Sequence, residues 1–406
     1  MRKFISCTIL SLLSCPLQAA PTQDWSALIA KDGLARTETA ITDLSDPSAE
    51  DLLALAMTQF LGGIEAGLHD RWKVGQSQES ALPLFRLPVP ANPNPAPFDP
   101  ALVETVFRNL ETRMEDARAT LSRIPAEGDI GLVLRPADLW LDIDGSGDRA
   151  EGESILAVGA NFLAQPRFNF DTGVMETPQM PKVDGIRFDR ADVSWLTAYT
   201  HLLSATSNTV LAFQPTAVIE QVFKGRKALI ALGTTGPADQ FMGETGGYPN
   251  SADMMATALL ALRQQPLADH TRKTRDHLLA MVNHNRRFWT EVAAETDNDQ
   301  EWIPNKHQTS ALGALFPEGV DVAWLAILDD AEKLLKGELL VPYGESIGFD
   351  VSAWLENPGP VDLVEWLHGM GMAPFLKTGP QISNANWRAF EGLVSGNAVL
   401  FAIWLN

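Results

Sequence analysis

The chain has 406 residues, 45% of them hydrophobic, which is enough to bury at least one large core and excludes a disordered polymer. Its 31 Lys plus Arg stand against 51 Asp plus Glu, and the net charge of -20 repels nucleic-acid phosphates and anionic membrane surfaces, leaving cations and neutral ligands as the easier partners.

At the N-terminus, Arg2 and Lys3, the short apolar run Phe4 to Ser14 and the small-residue region ending at Ala19 have the order of a secretory signal, with residues 1–19 expected to be removed. Such removal takes away Cys7 and Cys15, the only cysteines, and takes the net charge to -22. The mature chain is then expected to be exported, most readily to a periplasm, without disulfides or thiolate ligands. The alternative takes Leu12-Leu13-Ser14-Cys15 as a lipoprotein box that keeps the chain anchored through an acylated Cys15. No later apolar run approaches the ~20 residues a transmembrane helix needs.

From residue 20 to 164 a first helical region is expected. Trp25 to Leu44 is weakly periodic, whereas Leu53, Met57, Phe60, Ile64, Leu68 and Trp72 recur every three or four residues and mark one face of a core helix. Glu65 and His69, four apart on that helix, are expected to form a surface ion pair. Residues 81–100 hold seven prolines and predict an extended strap over the surface. Asp99 then caps a helix whose stripe is Val103, Val106, Leu110, Met114, Ala117 and Leu121. Leu132-Val133-Leu134 and Leu139-Trp140-Leu141 follow, for which strand and a single helical turn are equally compatible. An exiting helix is expected from Ile155, Val158 and Phe162.

A Pro- and Gly-punctuated linker at 165–188 separates this region from a second helical one at 189–406. Asp189 and Asp192 open what is expected to be the longest helix, ending before Pro215. Further helices are predicted after Pro215, at about 251–264, 268–294, 320–336, 350–356, 361–369 and 386–395, with an apolar end at 398–405. No period of 20 to 50 residues repeats. The fold class is mainly α, an irregular array of about ten or more packed helices with little strand.

The stretch Asp142-Ile143-Asp144-Gly145-Ser146-Gly147-Asp148-Arg149-Ala150-Glu151-Gly152-Glu153 spaces its oxygen-bearing side chains as calcium requires. A twelve-residue loop supplies ligands from positions 1, 3, 5, 7, 9 and 12. Here these are Asp142, Asp144, Ser146, the Asp148 carbonyl, water near Ala150, and Glu153 as a bidentate carboxylate, with Gly147 at the sharp turn. The stretch resembles an EF-hand loop. Arg149 replaces the usual apolar residue at position eight, Pro136 truncates the incoming helix, and no second full loop exists. The resemblance therefore implies a single structural Ca2+ site of modest affinity, in the ~0.1–1 mM class, stapling the two helical regions, and not a paired sensor. A weaker cluster, Asp297, Asp299, Glu301 and Asn305, follows a helix C-terminus, where a cation would offset the helix dipole.

Other motifs carry less. Gly344-Glu345-Ser346-Ile347-Gly348 matches a nucleophile elbow but is surrounded by helical sequence. Glu365 and His368 share the spacing of carboxylate-bridged metal bundles without the partner motif. His270, His277 and His284 repeat every seven residues on one helix, about 10 Å apart, too far to share an ion. Trp302, beside Asp299 and Glu301, is expected to be exposed. The reading these features favour is a non-enzymatic exported calcium-binding protein with an interaction or envelope role. The alternative is a helical exported hydrolase of a carbohydrate or cell-wall polymer, with carboxylates and an aromatic platform such as Trp302 in its cleft.

Overall fold

A computed structural model of the chain describes residues 23–77, 82–159, 167–169, 174–176, 183–234, 236, 249–313, 316–394 and 398–405. The signal sequence expected at 1–19, Phe162, half of the 165–188 linker and most of the Gly-rich stretch before Asn250 lie outside these residues.

The molecule is mainly helical, with 57% of residues in helix and 6% in strand. In chain order the elements are α1 (Trp25–Thr42), α2 (Ala49–Lys73), α3 (Leu102–Leu121), β1 (Leu132–Leu134) and α4 (Ile155–Val158). Then come β2 (Arg167–Asn169), β3 (Val174–Glu176), β4 (Ile186–Phe188), α5 (Arg190–Ala212), α6 (Pro215–Ala231), α7 (Ser251–Leu262) and α8 (Ala268–Ala294). The chain closes with α9 (Val320–Leu335), β5 (Val341–Pro342), β6 (Ile347–Phe349), α10 (Val351–Glu356), α11 (Leu363–His368), β7 (Leu376–Thr378), α12 (Ala385–Leu393) and α13 (Ala398–Leu405). Among the described residues no helix is long and apolar enough to cross a membrane.

Helix starts follow local chemistry. Ser48 with Asp51, Asp189 with Asp192, and Asn250 with Asp253 form reciprocal capping boxes that satisfy the first free N–H groups of α2, α5 and α7. The helix opened by Asp189 spans 23 residues and is not the longest, since α8 runs to 27. The approach to the acidic loop resolves as strand: β1 pairs antiparallel with β4, Leu132 opposite Phe188. The exiting helix is a single turn, Ile155–Val158.

Helices α5 and α8 pack antiparallel along their length, with Ser194 near Glu291, His201 near His277 and Asn208 near His270. Helix α3 lies against α5 and also against α2, whose Gly63 and Gly67 let Leu110, Met114 and Val106 approach closely. One hydrophobic core runs through residues on both sides of the linker, with Ile41, Leu53 and Leu132 in the same cluster as Trp195, Phe288 and Leu405.

The Pro-rich strap is held across the end of α2. Arg71, fully buried, donates from Nη1 to the carbonyls of Leu84 at 2.7 Å and Leu87 at 2.8 Å, and its guanidinium lies 5.2 Å from the Phe85 ring centroid. The amide of Asn92 caps the Trp72 carbonyl at 3.0 Å. Proline-rich backbone has few ladder partners of its own, so this one side chain supplies donors that secondary structure cannot. Arg71→Met, which keeps the apolar stem, is expected to cost about 2–3 kcal/mol, because hydrogen bonds to a charged donor are lost and the carbonyls stay buried. Urea denaturation measures this directly.

Candidate metal centre

The 142–153 loop stands on a small hydrophobic cluster. Leu141 and Ile143 point into it with Ile29 and Leu34 of α1, Leu68 of α2, Val89 of the strap and Val158 of α4. Trp140 anchors the approach, its indole N–H donating to the Ile29 carbonyl at 2.8 Å. Its ring lies against Gly33, where φ is +76° and a Cβ would meet the ring at 3.1 Å. An antiparallel bridge, Trp140 with Ser154, closes the base, and the N–H of Leu141 donates to the Glu153 carbonyl at 2.9 Å. The loop is thus framed by extended backbone and one helical turn, and it ties α1, α2 and the strap together within the first region.

Inside the loop the carboxylates organise the backbone. Asp142 Oδ2 accepts from the N–H of Gly147 at 3.0 Å, and Asp144 Oδ1 from that of Ser146 at 2.9 Å. Glu153, 1% exposed, accepts from Ile143 and Asp144 at 2.9 and 3.2 Å on Oε1 and from Ala150 at 2.8 Å on Oε2. Gly145 and Gly147 take φ of +70° and +76°, the left-handed turns that let the chain fold inward. The Ser146 hydroxyl donates to the Asp148 carbonyl at 3.0 Å, which puts those two oxygens together. Carboxylate oxygens of Asp142, Asp144 and Glu153 lie within 4.8 Å of one another. The other oxygen of Asp142, Oδ1, is buried and has no hydrogen-bond partner.

Two residues expected on the surface belong to this centre. Glu65 Oε2 accepts from the N–H of Asp142 at 2.7 Å, and His69 Nδ1 lies 3.0 Å from the Ile143 carbonyl. The His69 ring fills the space over Gly145, where a Cβ would come within 2.5 Å of it. Burial, with the charges of Asp142 and Glu153 beyond it, pushes the Glu65 carboxyl up to about 7 against the Asp142 N–H and Arg113. The i,i+4 pair on α2 was the available signal, but its target lay more than seventy residues away and only packing brings them together.

The second acidic stretch is rearranged. Backbone pairing of Glu301 with Arg187 sets Glu301 beside Asp189, and the C-cap of α8 adds Glu295; these three carboxylates lie within 4.8 Å of one another. Asp297 and Asp299 instead face Arg187, at 3.5 and 3.9 Å, and Asn305 donates to the Val292 and Glu295 carbonyls at 2.9 and 3.4 Å. Trp302 is half-buried rather than exposed, its ring against Phe188 and Trp195 at 6.0 and 5.5 Å. Ser346 lies in the turn between the antiparallel strands β5 and β6, not in a strand-to-helix elbow.

Burial, then the charge of Asp189, with Glu301 and Asp297 beyond, raises the Glu295 carboxyl to about 8 despite a hydrogen bond from Gln308. Burial likewise raises Asp189 and Glu301, and takes Asp192 well above the carboxylate range. A folded-state pKa above the unfolded value adds stability below the unfolded pKa and loses it as pH rises through the folded one. For Glu295 that window runs from 4.5 to about 8. Thermal unfolding across it should therefore find Glu295→Gln more stable than wild type at the alkaline end and equal to it near the acid end.

A scan against protein-family models finds no match for the chain, and neither the curated proteins nor the solved structures yield one.

Proposed function

We propose that the 142–153 loop binds one calcium ion as a structural element, and that the protein serves an exported, non-enzymatic interaction or envelope role in a compartment where calcium is abundant. The observation that carries this reading is the buried, unpartnered Oδ1 of Asp142 beside the Asp144 and Glu153 carboxylates. Buried polar atoms without partners are rare, and a carboxylate oxygen among like charges is especially costly to leave so. Calcium is a hard cation that takes six to eight oxygens in flexible geometry, and Ser146 Oγ and the Asp148 carbonyl are further oxygens of that kind. Asp142, Asp144, Ser146, Asp148 and Glu153 would hold it, and Glu65 and His69 would orient the loop around it.

The bound ion would neutralise the converging acids and fix the loop on α1, α2 and the strap. The ligand count and the hydrogen-bonded frame suit a site of the ~0.1–1 mM class, occupied outside the cytosol and emptied by a chelator. The hydrolase alternative finds less support, since Trp302 is packed against two rings and offers no exposed platform beside the acids.

At about 10 mM calcium such a site adds about 1.4–2.7 kcal/mol to stability by mass action. Calcium should therefore raise the melting temperature of the mature chain by a few degrees, and EDTA should reverse the rise. Asp142→Asn keeps the acceptor for the Gly147 N–H and removes the charge. It should be at least as stable as wild type in EDTA and gain nothing from calcium. An undiminished calcium increment in this variant would sink the proposal.

A further inference from the structure

Helix α11 is held firmly on one side and open on the other. Asp362 caps its first turn, accepting from the N–H groups of Val364 at 2.8 Å and Glu365 at 3.3 Å, and Gly369 ends it at φ +93°. The same Asp362 carboxylate takes Arg263 at 2.7 Å, and the Leu262 carbonyl at the end of α7 accepts the N–H of Val361 at 2.7 Å. Trp366 anchors the inner side. Its ring lies 5.3 Å from Phe349 and 6.4 Å from Trp354, centroid to centroid, and its indole N–H donates to the Pro360 carbonyl at 3.1 Å.

No residue of α11 is buried. Leu363, Val364 and Leu367 stand at the three- and four-residue spacing of helical neighbours, with Val364 67% and Leu367 89% exposed. Exposed Met370 continues them past the C-cap. Exposed Tyr343 joins from the side, its hydroxyl filling the space that a Cβ on Gly369 would need. The N–H of Tyr343 donates to the Ile347 carbonyl at 3.1 Å, which brings exposed Ile347 to the same edge. These six side chains present on the order of 600 Å² of apolar surface, the upper end of what a typical monomer leaves open.

We infer that this face is the contact of a homodimer, in which two copies of the chain pack α11 against α11 antiparallel across a two-fold axis and pair Glu365 of each with the partner's His368.

Area and charge both select a second copy. A stable interface takes about 800 Å² from each partner, about 65% of it apolar in homodimers, or about 500 Å². The patch matches that requirement. Glu365 and His368 are exposed, and among the described residues neither side chain has a hydrogen bond or ion pair. At about 100° per residue they lie on one flank of the open side, with Val364 and Leu367 toward the other. A two-fold contact is self-complementary, so residue i meets j while j meets i. The antiparallel crossing sets like flank on like flank and reverses the order along the axis, so position 365 faces position 368 twice and the apolar flanks meet each other. An imidazole N–H can donate to a carboxylate in either charge state of the ring. A lipid surface fits less well, because Glu345 and Glu365 stand at the rim and the net charge of -20 repels anionic headgroups.

Sedimentation velocity of the full mature chain, from about 1 to 100 µM, should show a monomer–dimer equilibrium. Leu367→Asp, checked for folding by circular dichroism, should weaken the dimer about a hundredfold or more, because the change enters the interface twice. His368→Glu alone sets carboxylates face to face and should weaken it about tenfold or more, and adding Glu365→His should restore it. Flotation with phosphatidylcholine vesicles, with and without phosphatidylglycerol, is run on the same chain, which is expected to stay unbound. A monomer throughout the range overturns the inference, all the more if that monomer floats with vesicles. So does a dimer undiminished by Leu367→Asp, or a loss in His368→Glu that Glu365→His does not recover.

Discussion

The antiparallel seam between α5 and α8 is the constraint on which the other elements depend, because it joins the core residues of α5 to those of α8 and gives α3 and α9 surfaces to pack on. Its apolar contribution comes from Trp195, Leu196, Ala198, Met281, Phe288 and Val292. Interleaved with these is a polar track: His201 with His277, Asn208 with His270, and Thr209 with Thr274. Polar groups in a helix seam are tolerated when each finds a partner across it, and the pairing then fixes register, since a shift of one residue would separate every pair at once.

Charge is handled differently in the two acidic clusters. At the 142–153 loop, backbone N–H groups converge on Asp142, Asp144 and Glu153, and a small apolar cluster holds the loop from beneath. Among the described residues, no basic side chain is hydrogen-bonded to these acids. At the α5 N-terminus, Arg187 stands among Asp189, Asp297 and Asp299, and protonation relieves the rest, with Glu295 held near 8. Two clusters of similar composition thus differ: one turns its acids on backbone N–H groups, and the other holds an arginine among its acids and carboxyls raised by burial.

Local chemistry was legible in the sequence wherever it acts over a few residues. The apolar stripe of α3 and the opening of α5 at Asp189 and Asp192 are short-range features, and the helical class follows from such patterns. Carboxylate oxygens of Asp142, Asp144 and Glu153 lie within 4.8 Å of one another, with left-handed glycines at 145 and 147 in the turn between them.

Only the tertiary structure decided which distant residues face one another. Glu65 and His69 looked like an exposed pair because an isolated helix offers them only each other; the packed molecule sets both against a loop more than seventy residues away. Trp302 looked exposed because its neighbours in sequence are acidic, yet its neighbours in space are Phe188 and Trp195. The three histidines of α8 lie a heptad apart on one helix, and His201, far off in the chain, contacts two of them across the seam. Helix period and turn chemistry are encoded over three to twelve residues, whereas a meeting of side chains across a seam depends on how whole helices dock, and no short window of sequence contains that.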